Sequence, residues 1–224
     1  TTEIYTLSLH DALPILGTHL LTDTPLRISD PEEAISFRVS SPDTGQFPLQ
    51  LWRRLLSRHC QKPSARLNYS RDALGYQPLR AAIADYLRRS RAVQCSLEQV
   101  IIVNGSQQGL DLMARLTLDP GDWVAVEDPG YLGARRCFSS YGAQLQAIAV
   151  DAAGLAVNTL RHYDQPFKLL YDTPSHQFPT GATLSLSRRL ALLQWAQQTA
   201  TLILEDDYDS EYRYGDRPIP ALQG

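Results

Sequence analysis

Residues 99–131 read QVIIVNGSQQGLDLMARLTLDPGDWVAVEDPGY. The stretch opens on QVIIV (99–103), a short apolar run of strand length and β-branched composition. Residues 106–118 follow with helical spacing, and WVAVE (123–127) is a second short apolar run. Runs with so little polar alternation are strands covered on both faces, and strands separated by helices build a mainly parallel sheet. The rhythm continues outward. Residues 131–141 are predicted helical, LQAIAV (145–150) and KLLYD (168–172) are strands, and 185–199 is a helix with Leu186, Leu190 and Leu193 in register. TLILED (201–206) is a further strand. Upstream, 78–91 has Leu79, Ile83, Tyr86 and Leu87 on one helical face, with Asp85 placed to pair with Arg88 or Arg89. In PLQLWRRLLSRHC (48–60), Pro48 marks a helix N-terminus. Leu51, Trp52, Leu55 and Leu56 lie opposite Arg53, Arg54 and Arg58, which read as a solvated face or a nucleic-acid patch. The fold class is α/β, a three-layer α/β/α arrangement around a mainly parallel sheet.

Composition bounds the function. The 224 residues are 43% hydrophobic and 20% charged, which excludes a disordered or fibrous chain. A net charge of −3 gives no electrostatic reason to expect nucleic acid on this surface. Of the 21 basic residues only Lys62 and Lys168 are lysines, so chemistry that needs a neutral amine has two candidates. Cys60, Cys95 and Cys137 are far apart, without a CxxC, and read as small buried hydrophobes of a reduced, cytoplasmic protein rather than as a disulfide or zinc framework.

Residues 1–21, TTEIYTLSLHDALPILGTHLL, are apolar but interrupted by Glu3, His10, Asp11 and Pro14, with no basic residue before Arg27. That is neither a secretory signal nor a membrane span. The stretch lacks the periodicity that follows it and is expected to be foreign to the fold. Residues 22–47, rich in Asp, Thr, Pro and Ser, read as a linker or lead-in arm.

In parallel sheets the chemistry sits beyond the carboxyl ends of the strands. After the first apolar run comes Asn104-Gly105-Ser106-Gln107-Gln108-Gly109, opening a helix. Gly105 lets backbone approach a ligand, Ser106 can cap the helix or bond an anion, and helix N-terminal amides suit a phosphate. The pattern is neither a P-loop nor GxGxxG, which weakens nucleotide readings. After WVAVE, the Asp128-Pro129-Gly130 turn brings Tyr131 to the rim as a core tyrosine or an aromatic platform. After KLLYD, the loop TPSHQFPTG (173–181) offers His176 as a base, a ring contact or a surface group. After TLILE, Asp206 and Tyr208 share a face by strand alternation. The acids Glu205, Asp206, Asp207 and Asp209 lack a DxDxDG-type partner loop, so no metal is expected. An anion cradle, an aromatic plate, and an acid beside a phenol together suit a flat, phosphorylated heteroaromatic cation.

These residues resemble the large domain of fold-type I pyridoxal-phosphate enzymes, the class I/II aminotransferases. Within them they are most similar to the aminotransferase-like domain of MocR/GabR-type regulators of the GntR superfamily. The resemblance rests on PDTGQFPLQLWRR (42–54), LGYQPLRAAIADYL (74–87), NGSQQGLDL (104–112), EDPGY (127–131), TPSHQFPTG (173–181) and LEDDYDSEYRYGDRPIPALQG (204–224). It implies that 48–224 is the front part of the large domain, with its C-terminal part and a winged-helix DNA-binding domain lying outside the chain. It implies pyridoxal 5'-phosphate as cofactor. Gly105, Ser106 and Gln107 would hold the phosphate, Tyr131 would stack on the ring, and Asp206 would pair with the pyridinium nitrogen. Tyr208 would bond the ring's phenolic oxygen, and Tyr69 would reach a neighbouring subunit's phosphate in a homodimer. Ordinary aminotransferases carry asparagine where Phe178 stands, so His176 or Gln177 becomes the candidate for that loop's ring contact. The family's Schiff-base lysine belongs to a motif downstream of Tyr208, and neither Lys62 nor Lys168 matches it. The chain by itself is therefore expected not to transaminate. Two functions follow: sensing of an amine or amino acid by a transcription regulator, or amino-group transfer to a 2-oxo acid by an aminotransferase.

Overall fold

The computed structural model describes residues 43–61, 72–209, 212 and 219–223. Residues 1–21, Lys62 and Tyr69 lie outside them. The chain divides into two units, Thr1–Ala73 and Leu74–Gly224.

In the first unit, a 3-10 turn (Thr44–Gln46) precedes helix α1 (Leu49–Cys60). Asp43 caps the turn, its carboxylate accepting the Gly45 amide at 2.9 Å. Pro48 stands at the N-cap rather than the first helical position. Leu51, Trp52, Leu55 and Leu56 are exposed, as is Cys60.

The second unit carries the sheet. Its helices are α2 (Gln77–Arg91), α3 (Ser106–Thr117), α4 (Leu132–Ser140) and α5 (Leu186–Thr199). Its strands are β1 (Trp123–Asp128), β2 (Gln144–Asp151), β3 (Gly154–Leu155), β4 (Phe167–Asp172) and β5 (Leu202–Glu205). They lie in the order β3-β2-β1-β4-β5. Every pairing is parallel except the short β2–β3 hairpin, in which Val150 faces Leu155. The hairpin was not legible as a strand because two residues carry no periodicity.

Strand alternation sorts the core into two layers. Val124, Val126, Leu169 and Tyr171 pack on one face against Leu110 and Ala114 of α3 and Ala134 and Phe138 of α4. Ala125, Leu170, Ile148 and Phe167 pack on the other against Leu192, Trp195 and Ala196 of α5. This is the expected three-layer α/β/α arrangement.

Four expectations need correction. QVIIV forms no ladder: Leu97–Gln99 is a 3-10 turn, and Ile101 is half exposed, with Ile102 N–H donating to Leu74 O at 2.9 Å. An apolar run becomes a strand only where a partner backbone pairs along it, and among the described residues the contact with Leu74 does not extend into a ladder. On α5 the buried face is Arg189, Leu192, Trp195 and Ala196, whereas Leu186 and Leu190 are exposed. On α2 the buried positions are Arg80, Ala84 and Arg91, and Leu79 and Tyr86 are half exposed. Asp85 does pair with Arg89 at 2.8 Å and with Arg88 at 3.6 Å. Cys95 and Cys137 are half buried, so none of the three thiols is the core residue expected. Among the described residues no helix is long and apolar enough to cross a membrane.

Candidate functional site

Four segments converge beyond the carboxyl ends of β1, β4 and β5. The first is the N-terminus of α3. Gly105, not Ser106, is the N-cap, with φ +87° and ψ 171°, a region essentially restricted to glycine. Ser106 is the first helical residue and makes no capping bond. The first intrahelical bond here runs from Gly109 N–H to Gly105 O at 3.3 Å, so the amides of residues 106–108 precede the ladder and point out of the helix end. Backbone and hydroxyl there form an anion cradle.

The second segment is the turn after β1. Tyr131 caps α4 without a side-chain bond, and its hydroxyl accepts from Gln107 Nε2 at 3.1 Å. Gly133 makes this possible: a Cβ there would stand 2.5 Å from Tyr131 Cζ and 2.6 Å from Gln107 Nε2. The aromatic plate and the anion cradle are thus tied by one hydrogen bond.

The third segment is the loop after β4. Gln177 is buried, and its amide is fully used: Nε2 donates to Pro129 O (2.8 Å) and Phe178 O (2.6 Å), while Oε1 accepts from Thr180 N (3.1 Å) and Oγ1 (2.7 Å). Gln177 is therefore a brace between the two loops and has no group left for a ligand. Phe178 sets its ring edge-to-face with Tyr131 at 5.8 Å and with Tyr208 at 6.2 Å, an apolar spacer between the two phenols. His176 is half exposed and meets Tyr208 and Asp209.

The fourth segment follows β5. Asp206 accepts from the Tyr171 hydroxyl at 2.6 Å, and its amide donates to Asp172 O at 2.9 Å. Burial, and then the charge of Asp206, push the Tyr171 phenol far up, so it remains a donor that fixes Asp206 Oδ2. Burial and the carboxylates of Asp209 and Asp206 push the Tyr208 phenol up to about 12.

Beneath the site lie groups that sequence reasoning missed. Glu127, next to last in β1, and Asp172, the last residue of β4, are buried. Thr173 Oγ1 donates to Glu127 Oε2 at 2.6 Å, but Glu127 Oε1 and both Asp172 oxygens meet no donor. Burial, and then the neighbouring Glu127, hold the Asp172 carboxyl well above the usual range. Burial raises Glu127 too, with Asp172 as a hydrogen-bond partner that opposes the rise. Burial and the like-charged neighbour both favour a proton on Asp172, which can then donate to Glu127. Arg91, buried at the end of α2, bonds Asp207 Oδ2 at 2.7 Å and Ser175 Oγ at 2.9 Å. Arg189 donates to the carbonyls of Leu184 (3.1 Å), Pro174 (3.0 Å) and Pro220 (2.9 Å). These arginines lash the two loops to the scaffold. The sequence signal was present in the buried-helix positions of two arginines, but surface arginines look identical without the tertiary partners.

Gly105, Ser106, Gln107, Tyr131, Asp206 and Tyr208 thus all stand at this sheet edge, and Tyr69 is outside the described residues. The family profile "Aminotransferase class I and II" matches residues 33–219. The chain belongs to the class I and II aminotransferase family. It is 42% identical over 193 residues to the probable rhizopine catabolism regulatory protein MocR of Rhizobium meliloti, covering 86% of this chain and 38% of that protein. It is 36% identical over 195 residues to the pyridoxine biosynthesis transcriptional regulator PdxR of Corynebacterium glutamicum, covering 87% of this chain and 41% of that one. The chain thus spans about two fifths of these relatives. Among solved structures, the α-aminoadipate aminotransferase LysN of Thermus thermophilus, complexed with N-(5'-phosphopyridoxyl)-L-leucine, is 32% identical with a TM-score of 0.73, over 81% of this chain and 46% of that one. The class I and II aminotransferase fold therefore accounts for the α/β architecture with its mainly parallel sheet.

Proposed function

We propose that this chain is part of the effector-sensing domain of a MocR/GabR-type transcription regulator and holds pyridoxal 5'-phosphate at the sheet edge. The likeness to MocR and PdxR supports the regulator reading. The cofactor reading is carried by one observation: an anion cradle, an aromatic plate, a fixed carboxylate and a phenol converge on one sheet edge.

The residues present fit the group. Gly105 carries no side chain, and a Cβ there would face open space, so a phosphate has access to the amides of residues 106–108. Ser106 and Gln107 add a hydroxyl and an amide. Tyr131, held by Gln107, stacks on the ring. Asp206, with one oxygen engaged by Tyr171, keeps the other for the pyridinium nitrogen. Tyr208 donates to the phenolic oxygen. When bound, the cofactor supplies an electron-withdrawing ring. In the whole protein Tyr69 completes the phosphate site of a neighbouring subunit in a homodimer. The effector is an amine or an amino acid, and DNA is bound by a winged-helix domain.

Titration of the chain with pyridoxal 5'-phosphate, followed by quenching of its tyrosine and tryptophan fluorescence, tests the cofactor. Saturable quenching is expected, and Asp206→Asn should weaken it about tenfold by removing a charge-assisted hydrogen bond. No saturation would overturn the reading. The likeness to LysN favours a second function, amino-group transfer to a 2-oxo acid. Operator binding by the whole protein that changes with an added amine separates the two.

A further inference from the structure

The loop after β4 and the segment after β5 meet in a contact to which the roles above give no task. His176 Nδ1 lies 2.5 Å from Asp209 Oδ2 and 3.2 Å from the Tyr208 hydroxyl. The imidazole stacks on the phenol, with centroids 5.8 Å apart and planes at 21°. Gly181, at φ +76°, lies close to one edge of the ring: a Cβ there would stand 3.2 Å from His176 Nε2. One ring nitrogen therefore faces two oxygens, and they cannot both be served in the same way.

A carboxylate only accepts hydrogen bonds, so the short contact to Asp209 requires a proton on Nδ1, whether the ring is neutral or charged. Nδ1 then has no lone pair for Tyr208. The phenol oxygen receives at most a minor share of the Nδ1 proton, and its own O–H is released to point elsewhere. Reversing the tautomer would reverse this: an unprotonated Nδ1 would capture the phenol proton and turn Tyr208 into an acceptor toward any ligand.

We infer that Asp209 and His176 form a positioning pair that fixes Tyr208 as a hydrogen-bond donor to an oxygen on the bound ligand's ring. The inference rests on the cofactor reading, in which that oxygen is the phenolic oxygen of pyridoxal phosphate. It also explains how the loop tolerates Phe178, which has no polar group, and Gln177, whose groups are all engaged. The polar task passes to His176, acting through Tyr208. The raised phenol agrees with a tyrosine that keeps its proton.

Two measurements on the full chain test it. Nitrogen-15 NMR of labelled histidine reads the His176 tautomer without any ligand. A proton on Nδ1 that is lost in Asp209→Asn is expected, and an Nε2–H tautomer in the unaltered chain would overturn the pair. Fluorescence titration with pyridoxal 5'-phosphate reads the consequence. His176→Phe should bind about tenfold more weakly, as should Tyr208→Phe, and His176→Asn, whose amide replaces the Nδ1 donor, should recover to within about twofold. Equal binding by the Phe and Asn variants would overturn the inference while leaving the cofactor reading intact. An Nδ1 proton with no saturable binding by the unaltered chain would overturn the cofactor reading and, with it, the acceptor assigned to Tyr208.

Discussion

Gly105 carries the anion cradle on its backbone alone. Its φ of +87° and ψ of 171° are open to glycine, and a Cβ would meet nothing within 4 Å. Gly105→Ala should therefore cost about 1–3 kcal/mol from backbone strain and not from a clash. Urea unfolding measures it, and a change near zero would refute the strain. Asp172 makes a second prediction. A buried carboxyl whose folded pKa is raised contributes stability that is fully present below its unfolded value, near 4. That stability is lost as pH rises through the folded value. Since Asp172 rises mainly through burial and then through Glu127, unfolding midpoints should fall from pH 5 towards alkaline pH. Asp172→Asn keeps a donor for Glu127 and should flatten that slope. Asp172→Ala leaves Glu127 unpaired and should cost about 1–3 kcal/mol. An unchanged slope in the Asn variant would exclude the shared proton. The candidate site residues were legible in sequence because turn residues announce them: Gly105, the Pro129-Gly130 turn before Tyr131, and the acids around Tyr208. Asp172 and Arg91 were not, and Gln177 was read as a ring contact rather than a brace, because a buried polar residue is recognised only through the partners that engage it.

At the scale of elements, α5 shows where periodicity stops. Its sequence is apolar nearly all round, with Leu186, Leu190, Ala191, Leu192, Leu193, Trp195 and Ala196, so two different stripes fit a 3.6-residue period. The sheet chooses Leu192, Trp195 and Ala196, with Arg189 buried beside them because three carbonyls accept its donors. Leu192→Ala should cost about 2–5 kcal/mol by opening a cavity against Leu170 and its neighbours. Leu190→Ala should change stability by no more than about 0.5 kcal/mol, since Leu190 is 60% exposed. Paired urea titrations decide it: a larger loss at Leu190 would move the buried face. The apolar run at 99–103 misleads for a related reason. Hydrophobicity marks a segment fit to be a strand, whereas strand formation requires a neighbour in register, and that is a property of the sheet.

The whole second unit is organised by the order of its strands. β1 and β4 are each paired on both sides, and residues 124–126 and 169–171 are at most 2% exposed. Their side chains alternate between the two cores, so opening either strand breaks two ladders and unpacks both layers. Among the described residues β5 pairs on one side only, with β4, and Leu202 is 47% exposed. Opening β5 breaks one ladder and uncovers less apolar surface. Local opening free energies should follow that difference. Amide hydrogen exchange read by mass spectrometry or NMR should find Val124–Val126 and Leu169–Tyr171 the slowest. β5 and the exposed helix α1 should exchange faster by about a hundredfold or more, the spread expected between global and local opening. Uniform protection across the five strands would mean that the unit opens as one body. The ranked outcome gives the site a graded footing. Glu127 and Asp172 are anchored in the strands that open last, whereas Asp206, Tyr208 and Asp209 follow the strand that opens most readily. The acid and the phenol then depend on Arg91, Tyr171 and His176 to hold them.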